Sequence, residues 1–167
     1  MGRLKRGINK IIGMILGPLI DMIRFYSSRR PFIKGNRSRL KLGHRISLLN
    51  TIINVSSGDV EIGDDTIFGH NCILATGVHE FEGGMRKKIF HRKNFNKEVK
   101  EVPLTGYDIK IGSGCWISSN VTIIGGVTIG DNVIVAAGAV VAHNVPSSVV
   151  IGGVPARVIK ELVSTND

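Results

Sequence analysis

A six-residue period constrains the fold of this chain more than any other feature of its sequence. In the second half of the chain, a branched aliphatic residue recurs at every sixth position: Ile111, Ile117, Ile123, Ile129, Val135 and Val141. A small or β-branched apolar residue follows each of them four places later: Cys115, Val121, Val127, Val133, Ala139 and Val145. A period of six fits neither an amphipathic helix nor a coiled coil. It predicts a solenoid of very short strands whose inward side chains fill a narrow core.

The same period appears upstream, and an insertion separates the two tracts. The upstream residues at the first position are Ile62, Phe68 and Leu74, and an earlier, imperfect coil begins at Leu42 and Leu48. Because Ile62 and Ile111 are 49 residues apart, which is not a multiple of six, the register breaks between them. We assign the break to a polar, charged loop at about 80–108. A loop of this length in a regular solenoid is usually functional.

The net charge of +9 belongs to the N-terminal part of the chain. The first 45 residues hold twelve Lys or Arg and a single acid, Asp21, whereas the other 122 residues sum to −2. Neither a nucleic-acid motif nor interleaved aromatic residues accompany the basic residues, so we expect no nucleic-acid partner.

Residues 1–40 form a basic, partly apolar segment that we expect to be helical. The uncharged apolar run at 11–20 is too short to cross a bilayer as a helix, which needs roughly twenty residues. A secretory signal would need a small-residue cleavage site after this run, and Asp21 and basic residues follow instead. One hypothesis is an interfacial helix within 1–25 whose basic side chains contact anionic lipid headgroups. The alternative is a helix that packs on the rest of the protein or on a neighbouring subunit.

Three stretches of the chain resemble the hexapeptide-repeat acyltransferases, and within them the maltose and galactoside O-acetyltransferases. These stretches are VEIGDDTIFGHNCILATGVHEF (60–81), IKIGSGCWISSNVTIIGGVTIGDNVIVAAGAVV (109–141) and IGGVPARVIKEL (151–162). The elements IGxxCWI, GVTIGDN and GxPARVI, in this order, are specific to the family.

The resemblance implies an all-β fold, a left-handed parallel β-helix with three hexapeptides per coil. We expect the N-terminal helical segment at 1–40, the β-helix with its extruded loop at 41–150, and a C-terminal segment with a short helix at 151–167. The resemblance also implies a homotrimer that binds acetyl-CoA in the groove between neighbouring subunits.

The resemblance assigns the catalytic base to His79, in the sequence TGVH at the point where the hexapeptide register ends. Histidine is suited to taking a proton from a sugar hydroxyl because its usual pKa of about 6.5 leaves it largely neutral in the cytoplasm. The second ring nitrogen needs a partner, which Glu80, Glu82 or a backbone carbonyl can supply. We name His79 and Glu80 as catalytic residues and Glu82 as a residue that contacts the acceptor.

Two further residues are candidates for contact with the acceptor. His70 lies at a position of its hexapeptide that does not face the core, and its alternative role is to cover the solenoid surface. Trp116 matches the aromatic residue of the family, and its alternative role is packing at the edge of a coil.

The resemblance also implies which residues bind acetyl-CoA: Ser119, Ala137, Arg157 and Lys160. Small side chains let the extended pantetheine lie against the coils, and the basic side chains can pair with its phosphates. Where family members often have a Thr-Lys pair, this chain has Ala142 and His143. We therefore assign one phosphate contact to His143.

Cys72 and Cys115 are too few for a disulfide-dense scaffold, and neither belongs to a C-x-x-C pair. A reducing cytoplasm is therefore the expected compartment. A covalent acetyl-cysteine route would use one of them as a nucleophile. Both occupy the small inward position of a hexapeptide, so we expect core packing and direct transfer instead.

The sequence therefore predicts a cytoplasmic, acetyl-CoA-dependent O-acetyltransferase that acts on a saccharide. The basic N-terminus leads to a narrower hypothesis, in which the acceptor is a surface-polysaccharide or lipid-linked precursor at the inner face of the membrane. The alternatives are an N-acetyltransferase of an amino sugar or antibiotic, a non-catalytic solenoid, and a zinc-dependent hydratase. The hydratase needs three converging histidines with a closely spaced pair. The five histidines include no such pair, so we expect no metal.

Overall fold

The computed structural model describes residues 16, 30–77 and 106–162, together with the backbone of two short strands at 81–82 and 85–86. The chain divides into two compact units, Met1–Arg30 and Pro31–Asp167. In the first unit, Leu16 is helical and exposed. We expected a helical segment at 1–40 and a β-helix from residue 41, but Phe32–Lys34 already form a strand that pairs in parallel with Ile52–Asn54, so the β-helix begins earlier. Residues 1–15 and 17–29 of the expected helical segment lie outside the described residues.

In the second unit, the described residues form very short strands and one 3-10 helix, Arg37–Arg39. The strands in chain order are β1 (Phe32–Lys34), β2 (Leu40–Leu42), β3 (Ile52–Asn54), β4 (Val60–Ile62), β5 (Ile67–Phe68), β6 (Ile73–Ala75), β7 (Phe81–Glu82), β8 (Met85–Arg86), β9 (Ile109–Ile111), β10 (Trp116–Ile117), β11 (Thr122–Ile124), β12 (Thr128–Ile129), β13 (Ile134–Val135), β14 (Val140–Val141), β15 (Val149–Gly153) and β16 (Ala156–Glu161).

Three sheets collect the strands of successive coils. Sheet A has the order β1-β3-β6-β11-β14, sheet B the order β2-β4-β9-β12, and sheet C the order β5-β10-β13-β15-β16. All neighbours in these sheets are parallel except β15 and β16. Each coil therefore contributes one strand to each sheet in turn, which makes the unit a parallel β-helix with three faces.

The later coils follow the predicted hexapeptide period. Strand pairing joins Ile111 to Ile129, Ile117 to Val135, and Ile123 to Val141. In each pair the two residues are eighteen positions apart, so one coil consists of three hexapeptides.

The insertion leaves the solenoid without disturbing its register. Ile62 pairs with Ile111, Phe68 with Ile117, and Leu74 with Ile123, so the offset is 49 residues on all three sheets. The extra chain is therefore extruded between β6 and β9. Within it, β7 and β8 form a two-stranded antiparallel sheet.

The core contains the two residues of each hexapeptide that the sequence places inward. The first positions are buried from Ile62 to Leu74 and from Ile111 to Val141. The fourth residue after each first position is also buried at Thr66, Cys72, Cys115, Val121, Val127, Val133 and Ala139. Burial of these apolar side chains is the main favourable contribution to folding.

The corners of the coils favour glycine, asparagine and aspartate. At eight of the nine first positions from Ile62 to Val141, the third residue that follows has a positive φ between 56° and 84°: Asp65, Asn71, Gly77, Gly114, Asn120, Gly126, Asn132 and Gly138. Glycine enters this left-handed region without a Cβ penalty, and Asn and Asp tolerate it better than other residues do.

The first coil departs from the hexapeptide period. Ile33 pairs with Ile53 and Leu42 with Ile62, an offset of twenty residues rather than eighteen. Leu48 is buried, as the repeat predicts, whereas Leu42 is 46% exposed. Leu42 is exposed because β2 is the edge strand of sheet B, and among the described residues no further strand of this sheet covers its inward side.

The C-terminal segment corrects the sequence prediction. We expected a short helix within 151–167, but the structure has an antiparallel hairpin of β15 and β16. Gly153, with φ of 97°, allows the chain to reverse direction. The β-branched residues Val158 and Ile159 favour an extended strand, which pairs with β15. Residues 163–167 lie outside the described part of the chain.

Candidate functional site

A groove of about 250 Å³ lies at the C-terminal end of the solenoid. The corner after β14 places His143 at this groove, and β16 places Arg157 there. Both side chains are exposed. The apolar part of the lining comes from Val145, Pro146, Ile151 and Val158. The groove therefore combines an apolar surface with a guanidinium and an imidazole, groups that can pair with phosphates.

The groove brings together two of the residues predicted to bind the cofactor, but not Lys160. Arg157 Nη1 donates a hydrogen bond to the carbonyl oxygen of Ala156 at 2.9 Å. Lys160 lies on β16 opposite Val150, is exposed, and does not line the groove. Within the described residues, neither Arg157 nor Lys160 forms an ion pair with a carboxylate.

A second group of predicted residues lies in one column at the corner between sheets C and A. Because Phe68, Ile117 and Val135 are in register, His70, Ser119 and Ala137 follow each other in successive coils. The backbone N–H of His70 donates to Ser119 Oγ at 3.1 Å, and the N–H of Gly138 donates to the Ser119 carbonyl at 3.0 Å. His70 and Ala137 are exposed, and Ser119 is half-buried. The column thus places His70, a candidate for contact with the acceptor, beside Ser119 and Ala137, which are candidates for binding acetyl-CoA.

A glycine allows the coils to approach each other at this column. A Cβ atom on Gly69 would lie 2.5 Å from the backbone nitrogen of Ser119, which is far closer than real contacts allow. Any larger residue at position 69 would push the coil of His70 away from the coil of Ser119.

Trp116 lies on the outer face of sheet C and is 52% exposed. It is in register with Ile67 on one side and Ile134 on the other. Ile67 is also exposed, so the two form an apolar stripe along the sheet. This environment fits either contact with a ligand or contact with another protein surface.

The predicted base and its partner, His79 and Glu80, lie outside the described residues. Glu82 belongs to β7, of which the structure describes the backbone. The roles of His79, Glu80 and Glu82 therefore stay predictions.

The residues at both ends of the insertion are described, and hydrogen bonds fix both ends to neighbouring coils. At the exit, Thr76 Oγ1 donates to the carbonyl of Asn54 at 2.7 Å and accepts from the backbone N–H of Ser57 at 3.1 Å. At the return, Asp108 Oδ1 accepts from the N–H of Asp59 at 2.7 Å. The sequence analysis did not assign a role to Asn54, Ser57 or Asp108, because their contacts depend on how the coils stack.

Both cysteines are buried, which confirms the prediction that they pack in the core. Cys72 Sγ donates to the carbonyl of Ser118 and Cys115 Sγ to the carbonyl of Gly130, each at 3.1 Å. Burial raises the pKa of both thiols. Because the thiolate is the nucleophilic form, a raised pKa opposes a covalent acetyl-cysteine route.

In the described ranges, no group of three or more His, Cys, Asp or Glu side chains is arranged to hold a metal ion. Helices are also scarce: within those same ranges, none is long and apolar enough to cross a membrane.

One protein family matches part of the chain, and three known proteins are similar to it. Residues 108–143 match the family described as "Bacterial transferase hexapeptide (six repeats)". The galactoside O-acetyltransferase of Escherichia coli K12 is 34% identical over 125 residues, which are 75% of this chain and 55% of that protein. A putative colanic acid biosynthesis acetyltransferase of the same organism is 31% identical over 108 residues, covering 65% of this chain and 50% of that protein.

The third likeness is a solved structure of a hexapeptide-repeat-containing acetyltransferase from Vibrio cholerae in complex with acetyl-CoA. It superposes with a TM-score of 0.65 at 28% identity, over 80% of this chain and 66% of that chain. The chain spans about half the length of the curated relatives it matches.

The hexapeptide period, the three parallel sheets and these likenesses define a left-handed parallel β-helix, as the resemblance implied. The chain resembles the hexapeptide-repeat acyltransferases and, within them, the galactoside O-acetyltransferases.

Proposed function

We propose that this chain is an acetyl-CoA-dependent O-acetyltransferase that acts on a saccharide hydroxyl. The observation that carries the proposal is the groove where His143 and Arg157 meet over an apolar surface. An apolar lining suits an alkyl chain, and the two side chains suit phosphates, so the groove matches the chemistry of coenzyme A. The relatives add the acyl group and the acceptor class, since one is named a galactoside O-acetyltransferase and another binds acetyl-CoA.

In the proposed mechanism, transfer is direct and His79 is the general base. The neutral imidazole takes the proton of the acceptor hydroxyl while its oxygen attacks the thioester carbonyl. The new carbon–oxygen bond forms, the carbon–sulfur bond breaks, and the imidazolium returns the proton to the departing thiolate. Glu80 holds the second ring nitrogen of His79, and Glu82 contacts the acceptor.

Calorimetric titration with acetyl-CoA tests the cofactor assignment without an identified acceptor. We expect saturable binding at about one site per chain, and about 10-fold or weaker binding by Arg157→Gln, because a charged hydrogen bond to phosphate is lost. Arg37→Gln, which removes an exposed arginine from the first coil, is the matched control and keeps full affinity. A folded wild-type protein that does not bind acetyl-CoA refutes the proposal.

Replacement of His79 by Ala tests the base. Release of coenzyme A thiol is followed with p-nitrophenyl β-D-galactoside as the acceptor probe. The variant should lose transfer and retain acetyl-CoA binding, because the imidazole acts on the acceptor. Turnover at the wild-type rate would place the base elsewhere.

The narrower proposal is that the acceptor is a surface-polysaccharide or lipid-linked precursor at the cytoplasmic face of the membrane. Its support is the basic, apolar segment at 1–25 and a relative named for colanic acid biosynthesis. Basic side chains attract anionic headgroups and apolar side chains enter the interface. Deletion of 1–25 should therefore abolish sedimentation with phosphatidylglycerol vesicles. Equal sedimentation of the full chain and the deletion variant removes this proposal and leaves the transferase proposal intact.

We also propose a homotrimer, supported by the contrast between the three outer faces of the solenoid. Sheet A presents Phe32, Ile52 and Ile73, and sheet C presents Ile67 and Trp116, all exposed apolar side chains. Sheet B instead presents Lys41, Glu61, Lys110 and Thr128. A closed ring of identical subunits needs two different contact faces on each copy.

Sedimentation velocity tests the trimer with a matched pair of variants. Ile52→Glu places a charge on the apolar face of sheet A and should shift the protein toward monomer, whereas Lys110→Glu on sheet B should leave the assembly unchanged. A monomeric wild-type protein refutes this assignment.

A further inference from the structure

We propose that Thr76 is a positioning residue for the transfer reaction, because its hydroxyl fixes the corner from which the chain enters the insertion. His79 follows three residues later. This inference rests on the proposed function, since it takes His79 as the base.

The first argument is that Thr76 places a polar side chain at a buried corner. Thr76 is the second residue after Leu74, a first position of the repeat, and it is only 2% exposed. At the equivalent place in other hexapeptides, Ser119 and Gly125 are half-buried and six residues are exposed: Asp64, His70, Ser113, Asp131, Ala137 and His143. At the matching place in the preceding coil the buried residue is apolar, Val55. A buried hydroxyl at this corner therefore needs hydrogen-bond partners, which an apolar residue does not.

The second argument is the set of hydrogen bonds that Thr76 makes to the preceding coil. Its hydroxyl donates to the carbonyl of Asn54 at 2.7 Å and accepts from the N–H of Ser57 at 3.1 Å. Its own N–H donates to the same Asn54 carbonyl at 3.2 Å. Three hydrogen bonds thus tie one residue to a strand end and to the corner that follows it. Buried hydrogen bonds of this kind restrict the backbone because breaking one leaves a polar group without a partner.

The third argument is that the next coil restricts the same corner from the other side. A Cβ atom on Gly125 would lie 2.9 Å from the backbone nitrogen of Gly77 and 2.7 Å from the Cβ atom of Tyr107. The exit and the return of the insertion are therefore both in close contact with Gly125. With Thr76 bonded to the preceding coil and Gly77 against the following one, the corner has little freedom to move.

Thr66 provides a matched control for the loss of a buried hydroxyl. Thr66 Oγ1 donates to the carbonyl of Gly112 at 2.8 Å and accepts from the N–H of Cys115 at 3.1 Å. Thr66 is buried as well. It makes the same two hydroxyl bonds between coils as Thr76, but it lies at a corner between β4 and β5, where no insertion leaves the solenoid. Thr66→Val and Thr76→Val therefore each remove a buried hydroxyl that makes two hydrogen bonds between coils, at different corners of the solenoid.

The experiment compares Thr76→Val, Thr66→Val and Thr76→Ser in three measurements. The first is the affinity for acetyl-CoA. The second is the pH profile of kcat with p-nitrophenyl β-D-galactoside. The third is the NMR signal of the His79 imidazole, identified by its absence in His79→Gln. All variants are assayed below their unfolding temperatures, and Thr76→Cys replaces Thr76→Val if the valine variant does not fold.

We expect Thr76→Val to lower kcat about 10- to 100-fold, because small displacements of a catalytic group have effects of this size. Its acetyl-CoA affinity should stay at the wild-type value, and its His79 signal and pH profile should shift. Thr66→Val should keep kcat within about twofold and leave the His79 signal in place, and Thr76→Ser should behave like the wild type.

Equal losses of kcat in Thr76→Val and Thr66→Val, with an unshifted His79 signal, overturn the inference and leave Thr76 a structural role. A wild-type protein that binds no acetyl-CoA instead refutes the proposed function, so the two failures are distinguishable.

Discussion

The first coil and the later coils of this solenoid are held together by different interactions. Between Ile109 and Val141, apolar side chains stack at an offset of eighteen residues and are almost fully buried. The first coil has an offset of twenty residues, and of its apolar residues only Leu48 is buried, while Ile33, Leu40 and Ile46 are partly buried. Two ion pairs also join it to the second coil, Arg39 to Asp59 and Arg45 to Asp65. Exposed ion pairs contribute little free energy, whereas buried apolar side chains contribute much. The difference indicates that the described solenoid unfolds first at its N-terminal coil.

The largest expected effect is that of a cavity in the later coils. Ile123→Ala removes a fully buried side chain, and we expect a loss of about 2–5 kcal/mol in the free energy of unfolding. Leu42→Ala, the matched change in the first coil, should cost about 1 kcal/mol or less because Leu42 is already exposed. Urea unfolding monitored by circular dichroism measures both. Similar losses at the two positions would contradict the proposed difference between the coils.

A smaller effect is expected at the corners of the later coils. Asn132 has φ of 56°, and Asn132→Ala should cost about 1–2 kcal/mol because a Cβ-bearing residue without a helpful side chain is strained there. Asn132→Gly relieves the strain, and its free energy of unfolding should lie within about 0.5 kcal/mol of the wild-type value. Thermal unfolding of the wild type and the two variants measures the order of their stabilities. A glycine variant less stable than the alanine variant would show that the side-chain contacts of Asn132 outweigh its backbone conformation.

The smallest effect is the pH dependence of the first coil. The backbone N–H of His44 lowers the pKa of Asp64, and the side chain of Arg45 lowers the pKa of Asp65. A folded-state pKa below the unfolded value means that the contribution is present above the unfolded pKa, about 3.9, and is lost as the pH falls through the folded pKa.

Amide hydrogen exchange in 40–45 should therefore speed up as the pH falls below about 4, relative to exchange in 121–135, after correction for intrinsic rates. Asp65→Asn should remove part of this dependence. A pH response of equal size in both coils would show that the surface charges do not hold the first coil.

The repeat made most of the β-helix predictable, because each hexapeptide carries its own inward and corner residues. The burial of Cys72 and Cys115 and the turn at Asn132 could be read from local spacing. The C-terminal hairpin could not, since the stretch around Val158 and Ile159 has no period and becomes a strand by pairing with β15.

For the candidate site, the sequence predicted individual residues but not how they are arranged. His143 and Arg157 were named from a resemblance, and their meeting in one groove depends on the direction in which the hairpin returns. The burial of Thr76 had no signal in the sequence, because it depends on the contacts of one corner with the preceding coil. Spacing within a hexapeptide does not encode contacts of this kind.

The constant offset of 49 residues across the insertion has a consequence for how such proteins can change. Since all three sheets continue in register past the extruded chain, residues can be added to it or removed from it without repacking a single core side chain. Under the proposed function, the contacts of the insertion with the acceptor can therefore change within one contiguous stretch of the gene, while the coils that carry the proposed acetyl-CoA groove stay the same.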